Sequence, residues 1–179
     1  HRDIKPENIM LRRDGYVKVL DFGLVKLTER ERSEGRTNPL TGALVFEGDP
    51  AKTNPGAVLG TARYMSPEQA MGQDVDRRTD VFSVGVTLYE LLIGLPPFKG
   101  DRIAAILDAI IHHQPILPIQ ARPDLNPELD RIIARALEKD RELRYQSAED
   151  FRADLKRLQR AIDSAATSGI SQPSIKPGA

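Results

Sequence analysis

The chain has 179 residues, enough for one domain with a sizeable core and little more. Lys+Arg and Asp+Glu balance at 26 each, so the net charge is zero, which argues against a generally basic nucleic-acid binder or a polybasic membrane surface. Cysteine is absent, which excludes disulfides and thiolate metal sites and fits a reducing compartment.

The first stretch, HRDIKPEN from His1 to Asn8, concentrates chemistry. Asp3 is a carboxylate able to accept a proton, and Lys5 is a cation that in a loop faces the same ligand. Asn8 and Asp21 are hard oxygen donors of the kind that suits magnesium bridging phosphates. A base, a phosphate-facing cation and two metal ligands are the parts that phosphoryl transfer needs. Ile9–Leu11 and Tyr16–Leu20 flank Asp14-Gly15, a hairpin signal. Such a hairpin holds Asn8 at its entrance close to Asp21 at its exit.

Thr28–Val58 shows no sustained period and is rich in Gly and Pro, so it is expected to be a long loop, with Leu44-Val45-Phe46 its only apolar island. Ser66-Pro67-Glu68 is expected to start a short helix. Arg78–Leu92 reads as a helix apolar on most faces, hence central to the core, with Gly94 as its stop. The most apolar stretch, Val81–Pro97, is interrupted by Ser83, Gly85, Thr87 and Glu90 and is short for a membrane span; no signal peptide opens the chain.

Asp101–His113 is amphipathic, and Gln114–Pro127 is a proline-punctuated connector. Asn126-Pro127 caps the next helix, and Ser147-Ala148-Glu149-Asp150 resembles a capping box that opens the last one. The domain is expected over residues 1–162, with 163–179 a flexible linker or tail. The chain starts at His1 without an initiating Met and reads as a piece of a longer protein.

Five motifs then stand in the order of one family. HRDIKPEN resembles the catalytic loop of protein kinases, and Asp21-Phe22-Gly23 their metal-binding motif. Gly60-Thr61 with Ser66-Pro67-Glu68 resembles the end of the activation segment. Asp80–Gly85 resembles the start of the central helix, and Arg144 the arginine that closes the domain. The run from Ser66 to Val86 is similar to bacterial kinases of the eukaryotic-like type. The fold implied is mainly α: a kinase C-terminal lobe with a small β-hairpin carrying the catalytic and metal-binding loops, and no N-terminal lobe.

The resemblance implies a serine/threonine protein kinase that uses ATP and Mg2+ on protein substrates. Asp3 would accept or orient the substrate hydroxyl proton, and Lys5 would steady the transferring phosphate. Asn8 and Asp21 would hold magnesium, and Met10 would pack beneath adenine. Thr61 would bond near Asp3 and Lys5, while Asp80 would bind backbone N–H groups of the His1–Asp3 turn. Glu68 and Arg144 would form a buried or half-buried ion pair. Arg2 would receive a loop phosphate on Thr53, with Thr41 and Thr37 behind it.

The family's glycine-rich loop, strand lysine and paired glutamate are not in the sequence, so an N-terminal lobe in cis is an expected partner and residues 1–179 alone are expected to be inactive. The expected location is cytoplasmic, with any membrane anchor in other segments. Two other classes compete: a pseudokinase or interaction module, and a small-molecule phosphotransferase. Intact Asp3, Lys5, Asn8 and Asp21 weigh against the first. The Gly60–Glu68 segment weighs against the second.

Overall fold

The computed structural model describes residues 1–21 and 60–168. Phe22, Gly23 and the expected loop with Thr37, Thr41 and Thr53 lie outside the described residues, as does the tail beyond 168.

The described part is mainly helical with one antiparallel hairpin. A 3-10 turn, Pro6–Asn8, leads into β1 (Ile9–Leu11), which pairs with β2 (Val17–Val19). Ile9 lies opposite Val19 and Leu11 opposite Val17. The turn closes through the Arg12 N–H on the Tyr16 carbonyl, with Gly15 at φ 82°, a conformation that favours glycine. Six helices follow: α1 (Pro67–Ala70), α2 (Arg77–Ile93), α3 (Ile103–His112), α4 (Pro118–Ala121), α5 (Pro127–Ala136) and α6 (Ala148–Ser168). None of the described helices is long and apolar enough to cross a membrane.

α2 is the axis of the core. Asp76 caps its start by accepting the Arg78 N–H, and Gly94 ends it in the left-handed region. Phe82, Val86 and Tyr89 pack with Phe98, Ile106, Ile110, Ile133 and Leu137. Val81 joins a second cluster with Ile132, Ala136, Tyr145, Phe151 and Leu158. The expectation of an almost wholly buried helix fails at Leu91, which is 76% exposed and belongs to neither core cluster.

The proline-punctuated connector contains α4, which its sequence did not signal. Pro118 starts the turn, but its cap comes from afar: the Asp130 carboxylate on α5 accepts the Ile119 N–H at 2.9 Å. At the start of α6 the Ser147 hydroxyl accepts the Asp150 N–H, as a cap should. The reciprocal contact differs from a capping box. The Asp150 carboxylate accepts from the Ser147 hydroxyl rather than from its backbone, a side chain one methylene shorter than the usual Glu. α6 runs to Ser168, past the expected boundary at 162.

α2 and α5 meet at Gly85. A Cβ there would stand 2.9 Å from the Ala136 Cβ and 3.2 Å from Leu137 Cδ2. Gly85→Ala gains up to about 1 kcal/mol of helix propensity but forces a repacking worth about 1–3 kcal/mol. A net loss of about 1 kcal/mol is expected, read as a lower urea midpoint. A raised midpoint would show that α5 yields at no cost.

Candidate active site

The residues singled out in the first stretch converge. The Asp3 Oδ2 accepts from the Asn8 side-chain amide at 2.9 Å and lies 3.1 Å from the Lys5 ammonium. The same amide nitrogen also donates to the Asp3 carbonyl at 2.8 Å, so Asn8 fixes both ends of that residue. Lys5 in turn donates to the Thr61 hydroxyl at 3.0 Å, across 56 residues of sequence. Both Asp3 donors fall on one oxygen. Among the described residues nothing bonds Oδ1, which stays open as an acceptor.

His1 binds this loop to the hairpin. A carbonyl can only accept, so the ring Nε2 donates to the Leu20 carbonyl at 2.8 Å, and Nδ1 is the acceptor for the Asp3 N–H at 3.3 Å. The Leu20 N–H donates to the Asn8 carbonyl at 2.8 Å. Leu20 is therefore held through both its backbone groups, and Asp21 follows it immediately, exposed, at φ 58°. Asp21 thus sits one residue past the rung that contains Asn8. Asn8 has its amide nitrogen committed to Asp3, which leaves the side-chain oxygen for a cation. Among the described residues no cluster of three or more His, Asp or Glu forms a metal site. One amide oxygen and one carboxylate fit magnesium, which keeps several waters and takes one or two carboxylates plus phosphate oxygens.

Arg2 is the strained point of the loop. Its φ of 72° is left-handed, at a cost of about 1–2 kcal/mol for a non-glycine residue. Two side chains from other elements hold it. The Asp80 Oδ1 on α2 accepts the Arg2 N–H at 2.8 Å, and Oδ2 takes the His1 main-chain nitrogen at 2.9 Å. The Gln69 amide on α1 donates to the Arg2 carbonyl at 2.9 Å. Gln69 was missed in the sequence. Its signal was there in Ser66-Pro67-Glu68-Gln69, a capping-box spacing, and both bonds of that box form.

Glu68 and Arg144 pair in the interior, 3% and 1% exposed. All five guanidinium N–H groups have acceptors: Nη1 on Glu68 Oε1 and the Arg78 carbonyl, Nη2 on Glu68 Oε2 and the Lys139 carbonyl, Nε on the Glu138 carbonyl. Thr79, which no sequence signal marked, donates to Glu68 Oε1 at 2.7 Å. Burial raises the Glu68 carboxyl, but the bonds and charge of Arg144, with Thr79, outweigh it and hold the group below its ordinary value. Lys139 lies against the Phe98 ring, 3.8 Å from its centroid, and donates to the Ile110 carbonyl. Burial, then the charge of Arg144, pushes it down to about 8.

Met10 is half exposed on β1, beside the more exposed Leu11 and Val17. In the register it lies opposite Lys18, on the face of the hairpin away from the Leu11–Val17 pair. Thr53 lies outside the described residues.

The protein kinase domain pattern matches residues 1–154. The chain is 42% identical over 158 residues to the serine/threonine-protein kinase PknB of Mycolicibacterium smegmatis, covering 88% of this chain and 23% of that protein. It is 43% identical over 155 residues to the probable serine/threonine-protein kinase SCO3848 of Streptomyces coelicolor, covering 87% of this chain and 20% of the relative. To the serine/threonine-protein kinase pkn3 of Myxococcus xanthus it is 41% identical over 174 residues, 92% of this chain and 29% of that one. The chain thus spans less than a third of each of these relatives. The convergence of the loop residues on Asp3 and the match over most of the sequence lead to one conclusion: the chain belongs to the protein kinase domain family.

Proposed function

We propose that the chain is the C-terminal, catalytic lobe of an ATP-dependent serine/threonine protein kinase. The observation that carries this is the junction at Asp3. One carboxylate oxygen is tied to Asn8 and Lys5, Lys5 is tied to Thr61, and the other oxygen is open. That leaves Asp3 oriented to accept the proton of a serine or threonine hydroxyl. Lys5, between Asp3 and Thr61, offsets negative charge on the phosphoryl group being transferred. The Asn8 side-chain oxygen and the Asp21 carboxylate would hold magnesium. When bound, magnesium and ATP supply the phosphoryl group and neutralise charge on its oxygens. Met10 would lie under the adenine.

Arg2 is proposed to receive a phosphorylated loop residue, Thr53 first. Protein substrates, an N-terminal lobe in cis and a cytoplasmic location complete the reading. The hairpin exposes Met10 on one face and Leu11 with Val17 on the other, apolar side chains that such a lobe would cover in part.

The test is transfer of labelled phosphate from ATP to a protein in the full-length protein, with a sugar and an aminoglycoside as competing acceptors. Transfer to protein alone is expected. Residues 1–179 by themselves are expected to show no measurable turnover, because the glycine-rich loop and strand lysine that the family sets against the phosphates are not in the sequence. Robust transfer by that segment would show that a second lobe is not needed.

A further inference from the structure

We propose that Gln69 is a positioning residue for the catalytic carboxylate: its side-chain amide fixes the peptide plane between Arg2 and Asp3. The proposal rests on the reading of Asp3 as the proton acceptor. A peptide unit is planar, so its carbonyl and N–H turn together. In this unit the Arg2 carbonyl takes the Gln69 Nε2 at 2.9 Å, and the Asp3 N–H is held by the His1 Nδ1 at 3.3 Å. The preceding N–H is held by Asp80. The His1 contact is the longest of the three, so Gln69 is the firmer hold on the plane from which the Asp3 side chain departs.

The strain at Arg2 gives this plane a reason to rotate. Space for rotation exists: a cavity of about 70 Å3 is lined by Arg2, Asp3, Thr61, Tyr64, Met65 and Gln69. The other end of the same side chain does separate work. Its Oε1 accepts the Ser66 N–H at 3.0 Å and so caps α1.

The two tasks can be separated by substitution. Gln69→Glu keeps the capping oxygen, since Glu is a normal residue at that place in a capping box. It replaces the donor by an oxygen that repels the Arg2 carbonyl. Gln69→Ala removes both contacts. The measurements are kcat, KM for ATP and melting temperature in the full-length protein, assayed well below both melting points.

Gln69→Glu should lower kcat by about ten- to a hundredfold, the size expected for a misplaced reacting group, with KM for ATP within about twofold. The loss should equal or exceed that of Gln69→Ala, although the alanine variant melts lower. A purely structural role gives the reverse order. Wild-type kcat in Gln69→Glu, with loss only in Gln69→Ala, would overturn the proposal and leave Gln69 as a helix cap. Asp3→Asn is run beside them. An inactive Asp3→Asn with an unimpaired Gln69→Glu sinks this inference alone, whereas an active Asp3→Asn sinks the catalytic reading.

Discussion

Asp3→Asn in the full-length protein is expected to lower kcat by about two to four orders of magnitude, the usual worth of a general base. The substitution keeps the size and planarity of the side chain. It removes the negative charge that Lys5 faces at 3.1 Å and the oxygen able to take a proton. If the asparagine turns its amide nitrogen toward Asn8, two donors meet where donor and acceptor met before. Asp21→Ala should cost at least as much, by removing a carboxylate from the proposed magnesium site. KM for ATP separates the two: it should change little for Asp3→Asn and rise for Asp21→Ala. Near-wild-type turnover in either variant would remove that residue from the mechanism.

The second large effect is on stability. Glu68→Ala or Arg144→Ala is expected to cost about 3–5 kcal/mol, because each leaves the partner charge buried and unpaired. Arg144→Ala is the harsher test. It strips a fully buried guanidinium from three backbone carbonyls as well as from Glu68. Urea unfolding should show the loss as a lower midpoint, and a loss under about 1 kcal/mol would mean that the pair behaves as if exposed.

The pH dependence follows from the sign of the Glu68 shift. Its carboxyl is held below the ordinary value in the fold, so the pair's contribution is full above about pH 4.3 and disappears as pH falls through the folded value. Lys139, at about 8, stays protonated throughout that acid range and adds nothing to the slope. Wild-type stability should therefore fall more steeply below about pH 4.3 than that of Glu68→Gln. Parallel acid limbs would remove Glu68 as the source.

Much of the helical order was legible in the chain. The Arg78–Leu92 reading differs from α2 by one residue at each end, because the run is apolar and Gly94 is a local stop signal. Asn126-Pro127 marked α5 for the same reason. The segment of α4 was read as connector, since the carboxylate that caps it sits on α5, where no local pattern can announce it. Leu91 misled because periodicity reports which residues are apolar, not whether an element arrives to cover them.

The site divides along the same line. The sequence by itself brought together the groups proposed to react, since Asp3, Lys5, Asn8 and Asp21 lie within one short loop and hairpin whose spacing is local. It also determined family membership, because ordered motifs survive in the linear text. Only the tertiary structure decided how those groups are held. Thr61 reaches Lys5, Gln69 reaches Arg2, Asp80 reaches His1 and Arg2, and Thr79 reaches Glu68 through contacts between distant segments. The physical reason is that a hydrogen bond depends on position and direction to a few tenths of an ångström. Such precision arises only once α1 and α2 have packed and set the loop's strained backbone between them.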